Sequence, residues 1–580
     1  MVNHFKIPAR IREHFRFSTL SFIFIIAYVN LFSLLFGPEN TIAGVIFTIL
    51  MSASMVRDLT ATPFRHLAGQ SLMLLWIALA AYLVNALPAP ASFLLNFITL
   101  FVILYAYTYE YSTHMYFPYI LSYLFLIFIS PVDAARLPGR LLAMVTGAVS
   151  ILLYQWIMGR KRVDETARDV LSGMIDCICS YITGKLDGNG AEPDSVAIHH
   201  LLCSLSKTVY DRRKKALCVS DAGFSMIDAG RGLEHLLFLL KELPGDLSNQ
   251  DRSLLQVTLN RLRVFRAFLH QEIKELPKPS HDTVTEGDKE ETHPPDKLLN
   301  YINDRLLHMS DPQNKGNYRP NVLSLKLRIQ AALDLSPVRF VYALRTALLL
   351  AAAALLVRSL SLPHGKWLLF TMASVSLPYA DDVPVKMKKR IAATVAGGLI
   401  SVAVYSLIPS PAGRTAAMML SGYLSFYFTD YAETFTCSTI GAMGGAVFMT
   451  AFGLQAVGGV FLIRLCYILA GAAAAYVVNC LIFPFNREKA TRQLWDKYKS
   501  ITELLAKLCH TDQIDSQLYY NLVIQAHLLE EKLNQNALLE RWTGFPELMA
   551  KCREQVRNAH RTFIAERADA PVYETEHLLH

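Results

Sequence analysis

The sequence is short of charge. Only 18% of its 580 residues are Asp, Glu, Lys or Arg, against roughly 25% in ordinary soluble domains, and this excludes a single soluble globular domain. Neither sign dominates, since 56 Lys and Arg against 48 Asp and Glu leave a net charge of +8. A chain of this size with so small an excess lacks the basic face that a nucleic acid selects. Cysteine is present but unpatterned: the nine residues give no C-x-x-C pair and no Cys/His zinc spacing, and the closest two, Cys177 and Cys179, fall on one predicted helix. Neither a disulfide framework nor a metal centre is expected. Catalytic and nucleotide motifs are missing too. There is no G-x-x-x-x-G-K-[ST], no H-E-x-x-H, no G-x-S-x-G and no G-x-G-x-x-G opening a helix after a strand, so ATP-driven transport, enzyme chemistry and a bound cofactor are not expected.

What the chain has in quantity is apolar sequence, 53% of all residues, with a mean hydropathy of +0.29. It is concentrated in two blocks. A bilayer-spanning helix needs about 20 apolar residues, and turn signals divide the first block into six spans near 17–36, 41–56, 67–87, 91–109, 116–130 and 139–158. The second block divides into six more, near 339–357, 365–379, 388–408, 412–429, 434–452 and 461–483. The second and fifth spans of the first block and the second span of the other are short for a clean crossing. Lys6, Arg10, Arg12 and Arg16 before the first block, and Arg160-Lys161-Arg162 after it, predict both termini in the cytoplasm by the positive-inside rule. The run behind the N-terminus is too long for a cleavable signal.

The blocks repeat one another. Arg140-Leu141 followed by Gly147 recurs 324 positions later as Arg464-Leu465 followed by Gly471, a shared R-L-x5-G. Arg65 recurs as Arg390, and Arg16-Phe17 as Arg339-Phe340, at nearly the same offset. An even number of spans per copy implies parallel repeats related by an axis along the membrane normal. Each block is followed by polar sequence of helical period, as in Ala167, Val170, Leu171, Met174, Ile178 and Ile182. The expected fold is therefore all-α and polytopic, with two tandem six-helix transmembrane bundles, each followed by a cytosolic helical domain. Its boundaries are 1–160 for the first bundle, 161–276 for the first cytosolic domain, 277–335 for a linker that is flexible at 277–295, 336–485 for the second bundle and 486–580 for the last domain. His199-His200 reads as surface on a soluble helix, and Arg212-Arg213-Lys214-Lys215 as a solvated helix end or a contact to anionic headgroups.

One stretch carries a resemblance. His364-Gly365-Lys366-Trp367, a short apolar span, and then Arg390 with Thr394, Gly397 and Gly398 is similar to the H-x-x-W and R-x-x-G-T-x-x-G pattern of the fusaric acid resistance family, with Ala393 in place of the first glycine. The family comprises bacterial inner-membrane proteins, aromatic carboxylic acid exporters among them, and has plant aluminium-activated malate transporters as distant relatives. The resemblance implies an inner-membrane secondary transporter that exports aromatic or other small organic acids.

Moving a carboxylate through hydrocarbon requires fixed positive charge along the path. The candidates are Arg65, Arg140, Arg345, Arg390 and Arg464, with Arg345 the deepest, and His364 and Trp367 stand at one mouth. Each arginine has a competing role as a snorkelling or helix-tying residue. Two aromatic turns hold acids, Glu110 in the first copy and Asp430 and Glu433 in the second. A carboxylate of raised pKa could carry the proton of an antiport cycle, while solvated acids in an interfacial aromatic belt are the plainer reading. The expected partners are a small organic anion and the bilayer, not nucleic acid, and homo-oligomerisation stays open. A passive anion channel and a non-transporting membrane scaffold in envelope assembly are the alternatives.

Overall fold

The computed structural model describes residues 9–55, 63–109, 114–159, 162–188, 195–211, 219–276, 294–317, 336–447, 454–509 and 516–568. They form an all-α polytopic membrane protein, with no strand among the described residues. The chain gathers into two compact units, one of residues 1–56, 63–155 and 335–490, the other of residues 57–62, 156–334 and 491–580. Both apolar blocks thus share one unit, and the polar segments that follow them share the other.

The first block of the membrane unit folds as α1 (Ala9–Phe36), α2 (Thr41–Ser54), α3 (Pro63–Ala86), α4 (Ala89–Tyr107), α5 (Tyr116–Phe128) and α6 (Leu137–Gly159). Gly37, at φ +91°, stops α1, because a left-handed residue followed by proline cannot continue the helix. Asn40 then donates from its side chain to the Phe36 carbonyl at 2.7 Å. The second block folds as α13 (Pro337–Ser359), α14 (Lys366–Val375), α15 (Val383–Leu407), α16 (Pro411–Leu424), α17 (Tyr431–Val447) and α18 (Leu454–Tyr476), the last continuing in a π-helical stretch, Val477–Ile482.

Among the described residues seven helical stretches are long and apolar enough to cross a membrane: Phe15–Phe36, Pro63–Ala86, Ala89–Tyr107, Leu137–Met158, Pro337–Ser359, Ala380–Leu407 and Gln455–Ile482. They carry outward-facing Leu20, Leu34, Leu142, Leu407 and Leu462, apolar groups that suit lipid and not water. Besides the three short spans expected, α16 is only 14 residues long, a correction to the full crossing predicted near 412–429; α17 is described as far as Val447, and residues 448–452 of the span predicted near 434–452 lie outside the described residues. The chain breaks between them because Ser425–Tyr427 tightens into a 3-10 turn. Asp430 then caps α17, accepting from the Ala432 N–H at 2.8 Å.

The two blocks meet along α4 and α13, which run antiparallel and are clamped at both ends. Arg339 donates to the Tyr105 carbonyl at 2.6 Å. Nineteen residues on, Arg358 donates to Ser92 Oγ at 2.7 Å and to the Leu87 carbonyl at 2.9 Å, satisfying the open end of α3. Internal packing repeats with the sequence. In the first copy Gly147 of α6 leaves room for the Phe47 ring of α2, into which a Cβ would run at 2.2 Å; in the second, Gly471 of α18 faces Thr371 of α14, whose Cβ would lie at 3.1 Å. Both residues of the contact shift by the same 324 positions.

The other unit contains α7 (Arg162–Leu186), α8 (Ser195–Asp211), α9 (Asp221–Glu242), α10 (Asn249–Leu269), α11 (Pro294–Ser310), α12 (Pro312–Gly316), α19 (Arg487–Leu508), α20 (Ser516–Glu540) and α21 (Phe545–Ala568). Helix α9 is its centre, buried on almost all sides. Helix α11 lies inside the stretch read as linker, and its Leu298, Leu299, Ile302 and Leu306 are core residues. Gly232 of α9 admits Ile302, which a Cβ there would meet at 2.7 Å. Residues 277–293 of the expected flexible segment, and Arg212 to Lys215, lie outside the described residues.

Candidate functional site

The repeated R-L-x5-G motif places one arginine at the same point of each copy, and the two meet different surroundings. Arg140 is 1% exposed, and each of its guanidinium nitrogens has a hydrogen-bond partner. Its Nε donates to Asn40 Oδ1 at 2.5 Å, Nη1 to the Ser130 carbonyl at 3.3 Å, and Nη2 to the Glu39 carbonyl at 2.7 Å and to Ser130 Oγ at 3.0 Å. It ties α6 to the turn between α1 and α2 and to the end of α5, as a structural arginine does.

Arg464, its counterpart on α18, is 5% exposed, and its Nε and Nη1 have no hydrogen-bond partner. The residue equivalent to Asn40 is His364, 324 positions on, and it does not accept from Arg464. Instead His364 stacks on Trp367, ring centres 4.8 Å apart and planes within 10°. The guanidinium of Arg464 lies 5.1 Å from the same indole, a cation–π contact that leaves its in-plane donors open. His364 itself takes φ +59°, a left-handed conformation uncommon outside glycine.

Arg390 comes from α15, whose Gly397 and Gly398 bring α17 and α18 close: a Cβ at the first would meet the Thr436 carbonyl at 2.7 Å, and at the second the Phe461 ring at 2.0 Å. Arg390 is 6% exposed, its Nε is unpartnered, and its guanidinium covers the Phe435 ring at 4.1 Å. It is near enough to Arg464 for the two charges to act on each other. Lys386, one turn earlier, lies 5.0 Å over the Tyr431 ring and also feels Arg390. Two buried guanidiniums, a lysine and the faces of Trp367, Phe435 and Tyr431 therefore converge. Among the described residues of the membrane unit, no Asp or Glu is buried to balance them.

The remaining candidates lie elsewhere. Arg345 is 1% exposed and donates to three carbonyls, Phe483 at 2.9 Å, Leu377 at 2.5 Å and Pro378 at 2.8 Å; it closes the ends of α14 and of the π-helical stretch. Arg65 is exposed at the start of α3, unlike its sequence counterpart Arg390. Asp430 is half-buried and paired with Lys389 Nζ at 2.5 Å, and Glu433 is exposed on α17. Glu110 lies outside the described residues. Sequence reasoning missed Phe435, Tyr431 and Lys386; only the crossing of α15 with α17 reveals them.

A second polar cluster lies in the other unit, and here the structure corrects the surface reading of His199. His199 is tucked between two acids, Nδ1 2.6 Å from Glu234 Oε1 and Nε2 2.8 Å from Glu530 Oε1. Burial by itself would lower its pKa, but Cys203, Glu234 and Glu530 outweigh that and hold it well above 6.5. Burial pushes the Cys203 thiol up to about 11. Glu530 is 2% exposed and also accepts from Arg553 Nε at 2.5 Å; burial favours its neutral form, yet His199 and Arg553 prevail and keep its pKa below the ordinary 4.5.

Residues 350–478, which hold Trp367, Arg390, Tyr431, Phe435 and Arg464, match the family described as fusaric acid resistance protein-like. The second membrane block is similar to the fusaric acid resistance proteins over this stretch. The chain is also similar to the inner membrane protein YccS of Escherichia coli (strain K12), 27% identical over 126 residues, which is 22% of this chain. It spans only 18% of that relative's length. No solved structure matches the chain.

Proposed function

We propose that this chain is an inner-membrane secondary transporter that exports aromatic or other small organic acids, and that the carboxylate of the cargo is received by Arg464 and Arg390. One observation carries the reading: Arg464 is buried inside the membrane unit with Nε and Nη1 unpartnered, while every guanidinium nitrogen of Arg140, its twin by sequence, is hydrogen-bonded. A buried unpaired charge is expensive, and a carboxylate accepting from an open donor of the guanidinium offsets that cost. The indole of Trp367 and the ring of Phe435 offer faces to an aromatic ring attached to that carboxylate. The family match and the name of the relative support membrane location and transport as the general activity, and the basic residues before and after the first block support cytoplasmic termini.

The test is flux of a radiolabelled aromatic carboxylate in proteoliposomes. Arg464→Ala and Arg390→Ala should each abolish it with insertion intact, and Arg→Lys should restore it only in part, because a fork becomes a point charge. Parent-rate flux in both alanine variants would sink the reading. Passive anion conduction is the second reading, favoured by the absence of a buried carboxylate among the described residues of this unit, by the pairing of Asp430 with Lys389 and by the exposure of Glu433. Current that persists without a proton gradient selects it over antiport.

A further inference from the structure

We propose that His199, Cys203 and Glu530 form a binding site for a zinc ion in the unit that contains α7–α12. His199 and Cys203 are four residues apart on α8 and so share a face; α20 delivers Glu530 to that face from the far end of the sequence. One ligand atom from each of the three lies within 4.8 Å of the others. Cys203 is 4% and Glu530 2% exposed. An imidazole nitrogen, a thiolate sulfur and a carboxylate oxygen make a borderline-soft donor set, which suits zinc and not magnesium or calcium.

The surroundings are those of a supported metal ligand. Glu234 holds Nδ1 of His199 at 2.6 Å, which fixes the ring with Nε2 turned toward Glu530, the carboxylate–histidine arrangement typical behind zinc-binding imidazoles. Arg553 Nε at 2.5 Å in turn orients Glu530. Tetrahedral coordination at about 2.0–2.3 Å sets neighbouring donor atoms roughly 3.3–3.7 Å apart. The spread of 4.8 Å therefore has to contract by about 1 Å, a side-chain rotation, and the contact of 2.8 Å between Nε2 and Oε1 to open by roughly half as much.

Charge and protons balance. Without metal the cluster is a protonated His199 and Arg553 facing Glu234 and Glu530, with Cys203 as the thiol. When Zn²⁺ enters, Nε2 of His199 and Sγ of Cys203 each release a proton to solvent, three metal–ligand bonds form, and a water takes the fourth position. The net charge of the cluster is unchanged, because two protons leave as two positive charges arrive. The ion would join α8 to α20, and so the first polar segment of the chain to the last.

The experiment uses the full-length protein in detergent, stripped with a chelator that is then removed, and titrated with Co²⁺ and Zn²⁺. The expected result is one equivalent of Co²⁺ or Zn²⁺ bound to the stripped protein with release of two protons per ion, a thiolate-to-cobalt charge-transfer band and the intense visible bands of four-coordinate cobalt, and loss of those bands without further proton release when Zn²⁺ displaces Co²⁺. Cys203→Ser should remove the charge-transfer band, His199→Ala should remove binding, and Cys177→Ser, a thiol elsewhere, should change nothing. Glu234→Gln keeps all three ligands and should weaken Zn²⁺ binding by about 10–100-fold, which provides a readout even if Cys203→Ser fails to fold. A saturated cobalt spectrum without a thiolate band, a Cys203→Ser protein that binds like the parent, or unchanged affinity in Glu234→Gln would overturn the site.

Discussion

Arg140→Met and Arg464→Met, made separately, should have opposite consequences although the two arginines occupy the same place in a repeated motif. Arg140 serves Asn40 Oδ1, the Glu39 and Ser130 carbonyls and Ser130 Oγ, and Asn40 is 2% exposed. Each acceptor left without a donor costs about 1–3 kcal/mol when buried. Because the Glu39 and Ser130 groups are only partly buried, the total should be about 3–5 kcal/mol, the usual cost of breaking a buried charged network. At about 2–4 °C per kcal/mol for a unit of this size, melting in detergent should fall by on the order of 10 °C. Arg464 leaves no protein acceptor behind. Its replacement by an apolar chain of similar length should be neutral or stabilising, by about 1–4 kcal/mol at most. The loss should appear in ligand response instead: an aromatic carboxylate at 100 times its Kd stabilises the parent by about 2.7 kcal/mol and should not move the melting point of Arg464→Met. The assay is a thermal melt with and without carboxylate. If Arg464→Met falls as far as Arg140→Met, or still responds to the ligand, Arg464 is a structural residue and the reasoning fails.

Gly147→Ala should disrupt the membrane unit, since its Cβ would stand 2.2 Å from the Phe47 ring, whereas Gly69→Ala, with nothing within 4 Å, should be neutral or gain up to about 1 kcal/mol of helix propensity; expression and melting of the pair check this. Arg358→Ala should loosen the junction of α4 and α13 by uncapping α3, measurable as faster amide exchange around Leu87. Acidification should destabilise the unit that holds His560. Burial, then the charges of Arg231, His235 and His527, keep His560 neutral well below pH 6.5, so from 6.5 downward the unfolded chain gains a proton that the folded one refuses. Stability should fall by up to about 2 kcal/mol at pH 5 from this residue. The raised pKa of His199 adds no slope there, because its contribution is fully present below 6.5. A chemical denaturation series from pH 7 to pH 5 that shows no decline would refute the assignment.

The sequence by itself determined the helices and their duplication. Apolar runs of bilayer length, Gly37-Pro38 and the prolines that open α4, α13 and α16 are local signals, because a helix is held by bonds four residues apart and stopped by single residues. The offset of 324 between Arg140 and Arg464 reappears in the structure as paired glycine contacts. The break between the spans expected near 412–429 and 434–452 falls where Asp430 caps α17, while hydropathy does not register that the chain leaves the α-helix earlier, at Ser425–Tyr427. Helix α11 was assigned to linker because its apolar face acquires a purpose only when Gly232 of α9 meets Ile302. What each arginine does was beyond the sequence altogether. The R-L-x5-G motif is the same in both copies, and burial alone does not separate them, since both arginines are almost wholly enclosed. The difference is made by residues about 100 positions away, Asn40 turned toward one guanidinium and His364 stacked on Trp367 instead of accepting from the other. Hydrogen-bond satisfaction is a property of which helices cross, so only tertiary structure could decide which arginine is closed and which is left open.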